Sequence, residues 1–374
     1  MSHQLQISIN SNLMKNLSYI IFILFIIVSC QQQSAKQENV LYIGETKNEM
    51  PIDSLISSIY LTYLEESDSI IIGSIDKIIK VRSTYYILDS NKAKALFAYD
   101  TLGNFINQYS AQGGGPREYY GILDFDIDTI NNEIVILCNP SKLIFTDMQL
   151  SFKKEVSLNN NYYDRIAINE NNIYLFSYYS EKIDKYNKKG ELIDKESILN
   201  KFVEGNVFFP QDVFYKLSNK LLMHSPGDDN IYLDQNSEWS IYKCLDYDNK
   251  TSSMKLYSQK KAEDITFEEK LSNPLPYIRC VFEYKQKTFY LYLYGLLHYL
   301  NDGENNFFFS KLPGVTSLKH VDGSLYTWEY LSNFNFEDPF LNQSFKNIKV
   351  NTYGTKQKSE LDDGIVIIEY ILKK

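Results

Sequence analysis

The sequence has few of the residues that most often carry metal binding or nucleophilic catalysis. Its 374 residues include 4 His, 4 Cys and 2 Trp, against 31 Tyr and 22 Phe. Past the N-terminal segment the histidines are His224, His298 and His320, and the cysteines are Cys138, Cys244 and Cys280, with no CxxC or zinc-ligand spacing. Three thiols in an oxidising compartment allow at most one bridge, Cys244 to Cys280, and all three are read as small buried strand residues. Charge of one sign is also missing in bulk. The net charge is −9 with acids and bases scattered, and without a basic stripe to track a phosphate backbone, nucleic acid is excluded as a partner. No apolar run is long: residues 19–28 are too few to span roughly 30 Å of hydrocarbon as a helix.

That short run marks the front of the chain. Lys15 precedes it, Ser29 and Cys30 close it, and a polar stretch follows at once. A charged region before an apolar core of this length reads as a signal peptide, residues 1–29, with Met14 a second candidate start because the charged region begins there. The apolar pair Ile27-Val28 and a small residue directly before Cys30 look like a bacterial lipobox. Cys30 is then expected to be acylated, palmitate being the typical chain, and to head a polar tether over residues 30–50. Each buried acyl CH₂ contributes about 0.8 kcal/mol, so several chains hold a protein to a membrane almost irreversibly.

What the sequence has in quantity is short aromatic and β-branched runs, with aromatic residues at 15%. Residues 85–118 show the unit. Runs at 85–88, 95–99 and 105–109 are separated by polar turns at 90–94 and 100–104, the pattern of consecutive antiparallel strands. In the second turn Asp100 can bond the backbone two residues on, and Gly103 can adopt positive φ. The turn recurs at Asp147, Asn187 and Asp234, at steps of 47, 40 and 47 residues, with Phe105, Phe152, Leu192 and Trp239 each five residues on. Units of that length match a four-stranded propeller blade. Runs at 85–88, 134–137, 173–176, 220–223, 288–293 and 325–329 recur in step, which makes six. The expected fold class is all-β: a six-bladed β-propeller of four-stranded antiparallel blades over residues 51–374, a body that should bury roughly 75% of its unfolded surface.

Two insertions interrupt the repeat, near 248–276 and 332–363. The first holds Thr266 and Glu269 at capping-box spacing, which predicts a short helix. The second delays the final strand, 365–372. With 314–321 and 324–330 it gives three strands of a last blade whose fourth is absent, while an early strand at 55–64 has no blade of its own. Pairing the N-terminal strand with the C-terminal one closes the ring and removes an open edge.

The segment Gln112-Gly113-Gly114-Gly115-Pro116-Arg117-Glu118-Tyr119, with 72–78, 86–89 and 97–105, resembles the six-bladed β-propeller lipoproteins related to NHL-repeat proteins, a family of largely unknown function. The likeness extends over about residues 50–374, and differs at Asp363-Gly364, where the family usually has Asn-Pro. It implies the propeller, the lipid anchor and export across the inner membrane of a Gram-negative cell, and it carries no catalytic residues. Physically, the glycines permit a crossover path closed to other residues, Pro116 fixes φ, and an ion pair of Arg117 with Glu118 is expected to lock the loop.

Candidate sites follow from placement on the ring. Asp124, Asp126 and Asp128 alternate with apolar residues and lack the spacing of an EF-hand, so they read as exposed carboxylates on a strand face. The three histidines fall in blades four, five and six; His298 lies in a third strand, far from the axis, so no shared metal site is expected. Turns between second and third strands share one end with the blade crossovers. That end carries the candidate binding residues Asn91, Lys92, Arg117, Glu118, Asn139, Lys142, Tyr178, Tyr179, Asp228 and Asp229, a polar and aromatic mixture suited to a glycan or peptide. With no nucleophile motif, acid–base pair or cofactor motif, the reading is a non-catalytic binding or assembly module of the cell envelope. Its partners are the membrane, through Cys30, and a glycan, peptide or outer-membrane protein. The expected location is the outer membrane, on the periplasmic side, because residues 31–36 carry no acidic cluster that would mark surface export. The alternative is a metal-dependent lyase or hydrolase working at the propeller axis.

Overall fold

The computed structural model describes residues 39–373 apart from 159–160, 181, 197–211, 218–219, 226, 236, 261–263, 295, 310–311, 313–317, 322, 331–347 and 355–363. The signal peptide and Cys30 lie outside the described residues. Six sheets form the ring. Their first strands are Lys77–Val81, Gly121–Asp128, Arg165–Asn169, Phe214–Leu217, Tyr277–Tyr284 and Lys319–Val321, in blades one to six. First strands of neighbouring blades approach one another around the axis, and later strands step outward. The six aromatic runs expected from the repeat are the second strands of the six blades.

Each blade buries both faces, so the apolar core is divided into wedges between blades. One cluster joins Leu88 and Leu96 of blade one to Ile134 and Ile136 of blade two. Another joins Phe289 and Leu291 of blade five to Leu325 and Ile368 of blade six, and four more fill the remaining gaps. Burying a Leu, Ile or Phe side chain contributes roughly 1.5–3 kcal/mol. Tyrosine fits this geometry because its ring fills the wedge while its hydroxyl reaches the next sheet. Tyr86 donates to the Met148 carbonyl at 2.9 Å, Tyr215 to Ile278 at 2.7 Å and Tyr326 to Ile78 at 3.2 Å, each crossing from one blade to the next.

The ring closes as the sequence predicts. Ile56–Tyr63 runs antiparallel to Ile365–Leu372, from Ile56 opposite Leu372 to Tyr63 opposite Val366, and supplies the fourth strand of blade six. Two further edges were not legible. Lys349–Tyr353, inside the second insertion, adds a parallel fifth strand outside Ile56–Tyr63. Val40–Ile43, within the expected tether, adds another to the outer strand of blade four, Glu238–Tyr247. Leu41 and Ile43 are buried while Val40 and Tyr42 are exposed, an alternation over four residues that is too brief to read as a strand. The chain then passes blade five, where the Asn48 carbonyl accepts from Phe308 N at 2.7 Å. Residues 40–63 thus bind blades four, five and six in succession. In the first insertion, Thr266 and Glu269 form the expected capping box at the start of the helix Phe267–Ser272.

Candidate functional site: a charged ring on the propeller axis

The first strands surround an axial cavity of about 230 Å³. At its crossover end Lys77, Asp212, Arg279 and Lys319 line it, and Asp124 and Arg165, of blades two and three, stand next to Lys77 and Lys319, so that each blade brings one charged side chain to this end, in blade order Lys77, Asp124, Arg165, Asp212, Arg279 and Lys319. Four cations therefore face two carboxylates. Lys77 Nζ lies 2.7 Å from Asp124 Oδ1, and Lys319 of blade six reaches past blade five to contact Asp212 of blade four. Deeper in the cavity Lys216 Nζ is 2.6 Å from Asp126 Oδ2, and Lys80 Nζ is 2.5 Å from Glu369 Oε1.

Arg279 is placed by a break in the ladder. Ile278 pairs with Tyr292 and Cys280 with Leu291, so Arg279 is the extra residue of a β-bulge and leaves the normal alternation of the strand. Its guanidinium lies over the Tyr277 ring, 4.4 Å from the centroid, and Nε is buried without a hydrogen-bond acceptor. Arg165 sits likewise over Tyr178 at 5.5 Å. Desolvation, and then the neighbouring Lys77 cation, pull the Lys319 ammonium down to about 7, while the Asp124 carboxylate opposes that shift.

The three aspartates read as exposed are buried. Asp124, Asp126 and Asp128 are 2%, 5% and 3% exposed. Asp124 Oδ2 accepts from Ile166 N at 2.9 Å and Asp126 Oδ2 from Ile168 N at 2.6 Å, both on the first strand of blade three. That strand is an unpaired edge on its axial side, and the carboxylates satisfy its outward N–H groups. Period-two alternation locates a polar face, but it does not reveal that a neighbouring strand edge lies against it. Asp128 instead caps the turn after its strand, accepting from Ile130 N, Asn131 N and Lys188 Nζ.

The residues expected to form a binding face are mostly engaged locally. Asn91 donates to Asp76 Oδ1 at 2.8 Å, and the Lys92 stem packs on Gly73. Asn139 accepts from Tyr120 N through its carbonyl at 2.8 Å. Arg117 and Glu118 do not form the expected ion pair. Glu118 accepts from Gly115 N at 2.7 Å, close beneath Gly113, whereas Arg117 gives its N–H to Glu155 at 2.8 Å and lays its guanidinium on the Phe152 ring. The positive φ of Arg117, 67°, turns its side chain away from that of Glu118. Lys142 joins the same Glu155 at 3.3 Å, so Arg117 and Lys142 do meet. Asp228 is buried and accepts from the Tyr232 hydroxyl at 3.0 Å, and Asp229 pairs with Lys250 of the first insertion at 3.3 Å. Tyr179 is exposed at 96%. Only Tyr178, through Arg165, belongs to the axial ring.

Of the histidines, His320 lines the cavity, stacked on Phe282, while His298 lies in the third strand of blade five and His224 in the turn after a second strand. Among the described residues no three His, Cys, Asp or Glu side chains converge as metal ligands. Cys138, Cys244 and Cys280 are free thiols, Cys138 and Cys280 buried.

The charged ring had a signal that turn-based alignment passed over. Lys77 to Asp124 and Arg165 to Asp212 are each 47 residues apart, and Asp124 to Arg165 is 41, nearly the steps of the recurring turns. Because the type of charge changes from blade to blade, similarity of residues does not expose it.

This fold defines the class of six-bladed β-propellers. The sequence matches the family DUF5128, described as a 6-bladed beta-propeller, over residues 29–301, and the chain belongs to that family. No curated protein matches it. Among solved structures it is similar to an exported protein of Bacteroides fragilis, at a TM-score of 0.65 and 18% identity over 90% of this chain and 100% of that one. It also resembles a virginiamycin B lyase of Staphylococcus aureus (TM-score 0.48, 12% identity, 84% of this chain and 100% of that one). BamB of Moraxella catarrhalis gives a TM-score of 0.39 and 13% identity over 71% of this chain and 69% of that one. At such identities the likeness is one of fold.

Proposed function

We propose that the chain is a lipid-anchored, non-catalytic binding or assembly module of the cell envelope, which receives its ligand at the crossover end of the propeller axis. The observation that carries this is the charged mouth: Lys77, Asp212, Arg279 and Lys319 line the cavity, with Asp124 in contact with Lys77 and Arg165 near Lys319. Packing alone does not need a charge there, whereas ligand sites combine an apolar wall with a few convergent polar groups. The partners that suit such a mouth are a glycan, a peptide or an outer-membrane protein. The lipobox-like Cys30 supports the anchor.

Two measurements test the reading. Palmitate labelling in a bacterial host should mark the wild type and be lost in Cys30→Ala, with the variant leaving the membrane fraction. Crosslinking from the crossover end, followed by recovery from envelope extracts, should give a partner or glycan that is absent when the opposite end of the ring is crosslinked. An unlabelled wild type that stays soluble would overturn the anchor.

A further inference from the structure

Four lysines around the axial cavity are each in contact with an acid, and Arg165 beside it donates to the Asp164 carbonyl at 2.7 Å and lies over the Tyr178 ring. Lys77, Lys80 and Lys216 have Asp124, Glu369 and Asp126 at 2.5–2.7 Å, and Lys319 has Asp212. Arg279, which lines the cavity itself, is in a different position. Among the described residues it has no carboxylate, its Nε finds no acceptor, and the group against it is the face of Tyr277. A half-buried guanidinium without an anion is costly, and nothing in the wedge cores requires one.

We propose that Arg279 receives the carboxylate of a small ligand, seated in the axial cavity from the crossover end. Planarity favours a carboxylate over a tetrahedral anion. The Tyr277 ring holds the guanidinium plane from one side, which presents its edge as a fork of two parallel N–H donors matched to two coplanar oxygens. Tyr277 in turn is fixed by its hydroxyl, which donates to the Asp212 carbonyl at 3.4 Å. Lys77 and Lys319 add positive potential at the mouth but are already in contact with acids. Size sets the other limit. A cavity of about 230 Å³ is below the roughly 300–1,000 Å³ of sites for drug-sized ligands, so it admits one monosaccharide or one amino-acid residue. The shared chemistry is therefore a single carboxylate on a compact polar body, supplied either by an acidic sugar or by the end of a peptide. This rests on the axial mouth being the binding site of the module.

Calorimetric titration of the purified protein with D-glucuronate and with N-acetylalanine tests it, using glucose, N-acetylalanine amide and inorganic phosphate as controls. Saturable binding of either carboxylate, absent for the neutral analogues, is the expected result, and which of the two binds tells sugar from peptide. Arg279→Gln should weaken that binding at least tenfold, and Arg279→Lys should restore only part of it, because an ammonium keeps the charge and loses the fork. Removing an unpaired charge should leave the fold intact, which circular dichroism checks; if the Gln variant fails to fold, the Lys variant and the fall of affinity with salt give the same reading. Equal binding by wild type and Arg279→Gln, phosphate binding in place of both carboxylates, or no carboxylate binding at all would overturn the inference. Recovery of the envelope partner is read in parallel. A partner retained without carboxylate binding defeats the ligand class and leaves the module standing; a carboxylate bound with no protein partner recovered keeps the axial binding site and removes the assembly role.

Discussion

His298 shows how a buried side chain couples this fold to pH. It lies 6% exposed in the third strand of blade five, where desolvation first, and then the nearby Arg279 cation, lower its pKa from 6.5 to about 4. The folded protein therefore binds fewer protons than the unfolded chain between those values, and stability falls as pH falls through that window. By linkage the loss from this one group is about 2 kcal/mol between pH 7 and pH 5. Denaturant midpoints measured across that range should drop more steeply for the wild type than for His298→Gln, and parallel slopes would show that His298 is not the titrating group. Its distance from the axis was legible in the sequence, since the run around it counts as a third strand. Arg279 was not, because a bulge leaves no mark in a period-two pattern, and Asp124 and Asp126 were misjudged because their acceptors serve a strand 42 residues away.

The turn between third and fourth strands is the element that made the fold readable. Asp100 Oδ1 accepts from Leu102 N and Asn104 N at 2.9 Å, Asp147 from Gln149 N and Ser151 N, and Asn187 from Lys189 N and Glu191 N. Gly103, Leu150 and Gly190 take positive φ at the same place in each. Local hydrogen bonding fixes this turn without tertiary help, which is why it survives as a sequence signal. Gly103 has a second duty. A Cβ there would stand 2.0 Å from the Tyr63 carbonyl oxygen, on the strand that closes the ring. Gly103→Ala combines an unfavourable φ of 90° with that clash and should cost roughly 2–3 kcal/mol. Chemical denaturation would measure it, and a wild-type midpoint would mean that the closing strand can give way. The added edges Val40–Ile43 and Lys349–Tyr353 escaped reading for the opposite reason: both are short, and their pairing depends on partners far along the chain.

At the scale of the whole molecule, closure rests on Ile56–Tyr63. Its Ile56, Ile59 and Leu61 are buried against blades five and six, together worth roughly 5–9 kcal/mol before the entropy of ordering the strand. A chain beginning at residue 65 should uncover Ile365–Leu372 as a flat apolar edge and aggregate, whereas one beginning at residue 52 should remain monomeric and lose only the cover on blade four and the contacts with blade five. Size-exclusion chromatography separates the two outcomes, and a monodisperse shorter chain would remove closure as the source of solubility. The same pairing sets an order of events during synthesis. The ribosome delivers Ile56–Tyr63 near the start and its partner Ile365–Leu372 among the last residues, so the first strand must wait, sticky and single, while some three hundred residues are made. Helpers that shield bare strands are thus expected to matter more for this protein than for one whose neighbours in space are neighbours in time.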